Sequence, residues 1–153
     1  MKVEIRQAVP SDRRILRLIR QLDDYQSKMY PPESNHLDSP QELERSGAYL
    51  VGAYVDADAV GIGAVKCFGA GEYGEIKRVY VEPGRRGCGI SKMIMKVLED
   101  HAAERGCRSL MLETGIHQKE AIGLYEALGY RYRGAFGDYP VDDPLSVFME
   151  KTL

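Results

Sequence analysis

The sequence predicts an α/β (α+β) protein: one mixed, mostly antiparallel central sheet of roughly six or seven strands, with about four helices. Three observations carry this. Glu75 to Leu98 reads as strand, Gly-rich turn and helix, and Ser109 to Glu113 follows as a short apolar strand, so two strands run parallel across a right-handed crossover. Ahead of that unit, Tyr49 to Val55, Val60 to Phe68 and Glu75 to Val81 are joined by short turns, which is an antiparallel meander. At the C-terminal end, Tyr130 to Arg133 and Leu145 to Met149 read as a final hairpin.

Taken in order, Val3 and Ile5 alternate with Lys2, Glu4 and Arg6, the pattern of a half-buried strand over Val3 to Ala8. Pro10 ends it and Ser11 is the expected N-cap of a helix whose apolar stripe is Ile15, Leu18, Ile19, Leu22 and Met29. Its arginine-rich face reads as a solvated one. Pro31 to His36 is a polar loop long enough to cover a site, and a short helix follows from Pro40 to Arg45. Asp56-Ala57-Asp58 and Gly69-Ala70-Gly71 are turns within the meander. After the turn at Pro83 to Gly89, Ile90, Met93, Ile94, Val97 and Leu98 form one helical stripe. Gln118 to Leu128 is the last helix, with Ala121, Leu124, Tyr125 and Leu128 on one side and Gly129 as its stop.

The chain of 153 residues is expected to be a single domain, 1–153, with enough length for a core of its own. A net charge of −2 gives no electrostatic reason to expect nucleic acid. Cys67, Cys88 and Cys107 are odd in number and lack CxxC spacing, which argues against a disulfide framework or zinc site and for a reducing, cytoplasmic home. No run approaches the ~18 apolar residues of a membrane span, and Met1 to Pro10 carries charges rather than a signal core. No metal and no membrane partner is expected.

The turn is where chemistry concentrates. Gly87 and Gly89 lie at a helix N-terminus, where free backbone N–H groups and the helix dipole favour an anion, and Arg85 and Arg86 add charge. A P-loop is excluded because G-x-x-x-x-G-K-[ST] is absent. A Rossmann turn is excluded because Lys92 stands where the third glycine is needed, and because the turn follows several strands instead of one.

Val81-Glu82-Pro83 followed by Arg86-Gly87-Cys88-Gly89-Ile90-Ser91 resembles the acetyl-CoA signature of the GCN5-related N-acetyltransferases, and Glu120 to Tyr130 is similar to that family's A-x-x-L-Y-x-x-x-G-[FY] block. The two blocks stand in the family's order and spacing, and the element order agrees over nearly the whole chain. Pro31 to Ser34 and the ending from Phe136 to Lys151 look like a small bacterial subgroup. Ser91 stands where the family prefers Gly or Ala, and His117-Gln118 replaces a frequent Asn before the last helix, which puts Gln118 beside the pantetheine arm.

The resemblance implies the family fold, with a splayed parallel junction holding acetyl-CoA. Its pyrophosphate would lie on backbone N–H groups from Arg86 to Ser91, with Arg85 beside them, and its pantetheine would run along Val79, Tyr80 and Val81. Cys88 reads as a small loop residue, since direct transfer from a thioester needs no acyl-enzyme. An amine nucleophile must lose a proton from an ammonium of pKa near 10. Glu75 occupies the strand position where some family members keep a glutamate base; the bland alternative is a strand-edge charge. Histidine is the other usual base, and of His36, His101 and His117 the last lies nearest the expected cleft. Tyr125 matches the family tyrosine that protonates the leaving thiolate, against the alternative of a core aromatic. Strand alternation puts Lys77 on the face of Glu75 and Arg78 on the opposite face; either residue would suit an acceptor carboxylate or a salt bridge. Glu33 to His36 on one side, and Asp138 and Tyr139 on the other, are the candidate acceptor wall. The expected activity is acetyl transfer to a primary amine of a small molecule. A non-catalytic acyl-CoA sensor, a protein N-terminus or lysine acetyltransferase, and a homodimer stay open.

Overall fold

The computed structural model describes residues 2–69 and 71–153, so Met1 and the middle residue of the expected Gly69-Ala70-Gly71 turn lie outside the described residues. The elements run β1 (Val3–Gln7), α1 (Arg13–Met29), a 3₁₀ turn (Pro32–Ser34), α2 (Pro40–Arg45), β2 (Tyr49–Val55), β3 (Asp58–Phe68), β4 (Tyr73–Val81), a 3₁₀ turn (Pro83–Arg85), α3 (Ile90–Glu104), β5 (Ser109–Gly115), α4 (Lys119–Ala127), β6 (Arg131–Arg133) and β7 (Ser146–Thr152). The strands form one seven-stranded sheet in the order β1-β2-β3-β4-β5-β7-β6. Among the described residues only β4 and β5 pair in parallel, as the crossover through α3 requires. The last hairpin is present, but β7 inserts beside β5 and leaves β6 at the edge. Among the described residues no helix is long and apolar enough to cross a membrane.

The sheet is covered on both faces. On one, α1 packs Ile15, Leu18, Ile19 and Leu22 against Tyr54, Ile62, Ala64 and Tyr80. On the other, α3 packs Ile90, Ile94, Met95 and Leu98 against Val65, Ile76, Leu110 and Leu112. Each of these helix residues is nearly or wholly buried, and at about 1.5–3 kcal/mol per large apolar side chain the two stripes are the main force holding the helices to the sheet. α1 is capped by Asp12, whose carboxylate accepts from the Arg14 N–H, and not by Ser11. Both residues are good caps, and the turn from Val9 to Asp12 decides between them.

Two irregularities in β4 set the site. Its pairing with β5 covers only Gly74↔Leu110, Glu75↔Met111 and Ile76↔Leu112, although β4 runs on to Val81 and β5 to Gly115. Beyond Ile76 the strands part, and the β5-facing backbone edge of β4 is left without a ladder. The second is a bulge. Lys77 pairs with Ala64 and Tyr80 with Ile62, so β4 spends an extra residue opposite Gly63. Arg78 takes up the extra residue at φ +59, a conformation uncommon for a side chain of its size. The bulge overturns the expectation for Arg78. Its side chain lies on the α1 face with Lys77, bonded to Asp23 and the Ile19 carbonyl of α1.

Candidate active site

The parting of β4 and β5 opens a cleft of about 530 Å³ between the end of β4, the Gly-rich turn and α4. Val79, Tyr80, Val81, Arg85, Arg86, Gly87, Gly89, Ile90, Ser91 and Gln118, the residues the resemblance put beside acetyl-CoA, all border it. Gly87 (φ +80) and Gly89 (φ +77) hold the left-handed conformation that lets the turn run straight into α3. A Cβ at either would meet no heavy atom within 4 Å, so the turn presents an open cradle. Arg86 anchors it through Nε, which donates to the Val81 carbonyl at 3.0 Å. Cys88 is exposed and does not border the cleft.

On the α1 side of the same junction lies a smaller cavity of about 70 Å³. His36, Lys77, Arg78, Glu113 and Tyr139 border it; Glu33 is exposed and borders neither space. Tyr125 of α4 borders both, so it stands in the wall between them. It is 6 % exposed, and among the described residues its hydroxyl has no hydrogen-bond partner. Burial, with the Glu113 carboxylate adding to it, pushes the phenol well above its ordinary value, so Tyr125 keeps its proton.

Glu75 is 4 % exposed and stands behind Lys77 and Tyr139 instead of on the cavity surface. The Tyr139 hydroxyl donates to Glu75 Oε2, and Lys77 Nζ lies 3.5 Å from the same oxygen while donating to Asp38 Oδ1 at 2.8 Å. Burial raises the Glu75 pKa, with Lys77 and the Tyr139 hydroxyl pulling the other way. Arg78, expected as an acceptor contact, is committed elsewhere: Nε and Nη2 donate to the Asp38 carbonyl at 2.9 and 2.6 Å, and Nη1 donates to Asp23 Oδ1 at 2.7 Å. It braces the covering loop to α1. His36 Nε2 lies 3.3 Å from Asp143 Oδ2, and Asp143 Oδ1 accepts from Ser34 Oγ and the Leu145 N–H. The loop after α1 and the β6–β7 connection are thereby tied together over the cavity.

His117 stacks on Tyr30 at 5.7 Å and its N–H donates to the Tyr30 hydroxyl, so it borders the large cleft and not the small cavity. His101 stacks on Tyr49, away from both. The sequence reading missed Glu113, Tyr30, Asp38 and Asp143. Glu113 had a signal: it ends an apolar strand at the carboxyl side of the parallel junction, where α/β sheets carry their sites. The others owe their place to loop closure.

The chain matches the family model described as the Acetyltransferase (GNAT) family over residues 15–130. It is 40% identical over 151 residues to an IAA acetyltransferase of Azospirillum brasilense, covering 99% of this chain and 98% of that one. It is 32% identical over 143 residues to the N-acetyltransferase YsnE of Bacillus subtilis, covering 92% and 93%. A crystal structure described as an acyl-CoA N-acyltransferase of Klebsiella pneumoniae superposes with a TM-score of 0.85 at 38% identity, covering 99% of this chain and 97% of that one. The PaiA N-acetyltransferase of Thermoplasma acidophilum, solved with coenzyme A, shares the fold at a TM-score of 0.78 and 19% identity, with both chains covered in full. The match over most of the chain, joined to the splayed β4–β5 junction and its glycine cradle, places this protein in the GNAT acetyltransferase family.

Proposed function

We propose that the protein transfers the acetyl group of acetyl-CoA to the primary amine of a small molecule, by direct attack of the amine on the thioester. The residues fit such a donor. The cradle at Gly87 and Gly89 has the empty space and the helix N-terminus that a pyrophosphate needs. The unladdered edge of β4 past Ile76 offers backbone groups to an amide-bearing arm. Acetyl-CoA, when bound, supplies an acetyl group activated by a thiol leaving group. The relative named as an IAA acetyltransferase supports an acceptor of small-molecule size.

The chain's own part is proton handling and orientation. Tyr125 holds a proton at the wall between cleft and cavity, where the leaving sulfur must be met. A carboxylate of the Glu75 and Glu113 pair removes the proton that keeps an amine from attacking. Lys77, Tyr139 and the paired loops narrow the cavity and limit water. The unpartnered Tyr125 hydroxyl in the shared wall is the observation that carries this reading.

The test is CoA release from acetyl-CoA across a panel of primary amines, with Tyr125→Phe beside the parent. We expect turnover with at least one small amine, and a loss of about 100-fold or more in kcat for Tyr125→Phe with acetyl-CoA binding kept. Unchanged turnover would remove Tyr125 from the acid role. Tight acetyl-CoA binding with no turnover on any amine would instead favour a non-catalytic sensor.

A further inference from the structure

We infer that Glu113, not Glu75, is the general base that receives the acceptor's ammonium; this rests on the acetyltransferase reading above. The register places both acids on one face of the sheet. Glu75 pairs with Met111, so Lys77 on β4 and Glu113 on β5 are the next residues of that face on each strand. These are the first positions past the last bonded pair, where the strands part. Lys77 and Glu113 therefore border the cavity, and Glu75 lies one step back beneath them.

The partners of the two acids differ in the same sense. Glu75 is supplied by the protein: Tyr139 donates to it and Lys77 lies at 3.5 Å. Glu113 receives one donor, Ser146 Oγ at 2.7 Å on Oε2, and no Lys, Arg or His of the described residues forms an ion pair with it. The other polar groups around the cavity have partners of their own: Lys77 bonds Asp38, Arg78 bonds Asp23, and His36 Nε2 lies 3.3 Å from Asp143. Glu113 is thus the half-buried carboxylate at this junction that lacks a counter-ion, and an ammonium entering the cavity supplies one. Its carboxylate also adds to the upward shift that burial gives the Tyr125 phenol. Glu113 and Tyr125 both border this cavity, so base and acid line the space an acceptor would enter.

The step is a simple proton transfer. The N–H bond of the ammonium breaks, its electron pair stays on nitrogen as the lone pair that attacks, and the proton bonds to a Glu113 oxygen and passes to solvent. Burial raises the Glu113 pKa and so brings it toward that of the amine it deprotonates. The titratable groups facing it are Glu75 on β4, Tyr125 on α4, Tyr30 at the end of α1, His36 in the covering loop, and Tyr139 and Asp143 in the β6–β7 connection. Glu75 becomes a positioning residue that fixes Tyr139 and Lys77 around the cavity.

The test is the pH profile of kcat/KM with the best amine of the panel, for the parent, Glu113→Gln and Glu75→Gln, with melting and acetyl-CoA binding measured on each. Glu113→Gln should lose about 100-fold or more in kcat at neutral pH and regain activity at high pH, where the amine deprotonates unaided. Glu75→Gln should lose less and keep the acid limb of the profile, displaced but present. That second variant decides the matter even if Glu113→Gln does not fold. Loss of the acid limb in a folded Glu75→Gln that still binds acetyl-CoA would overturn the assignment alone, whatever becomes of Glu113→Gln. No CoA release by the parent with any amine would overturn the acetyltransferase reading, and this assignment with it.

Discussion

Tyr139 donates its phenolic hydrogen to the Glu75 carboxylate, joining the β6–β7 connection to the buried middle of β4. The tyrosine ring also meets Phe136, Phe148 and His36 edge-on. The bond therefore holds a connection with no regular structure onto the sheet. Tyr139→Phe keeps those ring contacts and removes only the donor. A hydrogen bond to a charged group contributes about 1.5–3 kcal/mol, so urea unfolding should show a loss of that size, with acetyl-CoA binding unchanged. A variant as stable as the parent would mean that ring packing alone holds the connection.

The two buried acids also make a prediction about stability and pH. Glu75 and Glu113 have pKa values raised above 4.5, each chiefly by burial. Between the unfolded and folded values the folded chain binds more protons than the unfolded chain, so stability falls as pH rises. Their contribution is complete below about 4.5 and is lost as pH climbs through the folded values. Asp12 and Asp143, whose pKa values are lowered by their hydrogen bonds, act in the opposite sense at lower pH. The clean measurement is therefore the difference between Glu113→Gln and the parent. The amide cannot ionise, so the variant should gain relative stability from about pH 4.5 upward and level off once pH has passed the folded value of Glu113. A difference that does not change with pH would show that Glu113 is not shifted by folding.

The elements that a periodicity defines were legible. α1 buries Ile15, Leu18, Ile19 and Leu22 of the stripe read from its spacing and α3 buries Ile90, Ile94 and Leu98, but Met93 of the α3 stripe is exposed and Met95, outside it, is buried in its place. The meander and parallel junction follow from element order. The bulge was not, because Ile76-Lys77-Arg78-Val79 reads as unbroken strand. It lies opposite Gly63, where a Cβ would come to 2.5 Å from Ile94. Alternation then fails for the one residue, Arg78, whose face mattered. The Gly-rich turn was legible because its glycines and helix start are contiguous. The small cavity was not, because it is assembled by pairs such as Lys77 with Asp38 and His36 with Asp143, remote in sequence and brought together by loops.

The glycine cradle separates folding from binding. Gly89 sits at φ +77, and a Cβ there would have no heavy atom within 4 Å, so an alanine meets backbone strain but no clash. A left-handed residue with a Cβ costs about 1–2 kcal/mol, and the new methyl projects from the turn that borders the cleft. Gly89→Ala should lose roughly that stability and bind acetyl-CoA at least tenfold more weakly by calorimetry. Gly84→Ala is the control. Gly84 also has open space but no positive φ and does not border the cleft, so neither quantity should fall. Equal binding by all three proteins would take the phosphate away from this turn.

Gly115 and Tyr30 are the tightest coupling at the far end of the junction. A Cβ on Gly115 would overlap both the Tyr30 hydroxyl oxygen and the ring carbon bearing it. Tyr30 is 4 % exposed, accepts from the His117 N–H at 3.1 Å and stacks on the His117 ring, so it cannot move without uncovering the β5–α4 turn. Gly115→Ala should therefore destabilise by about 1–3 kcal/mol through overpacking. Tyr30→Phe should not relieve it, because the ring carbon still clashes. Tyr30→Ala removes the obstacle at its own cost, and in that background the additional effect of Gly115→Ala should fall to nearly nothing. A double-mutant cycle of urea midpoints measures that coupling directly. Additive costs would show that Gly115 is needed for its own backbone and not as the seat of Tyr30.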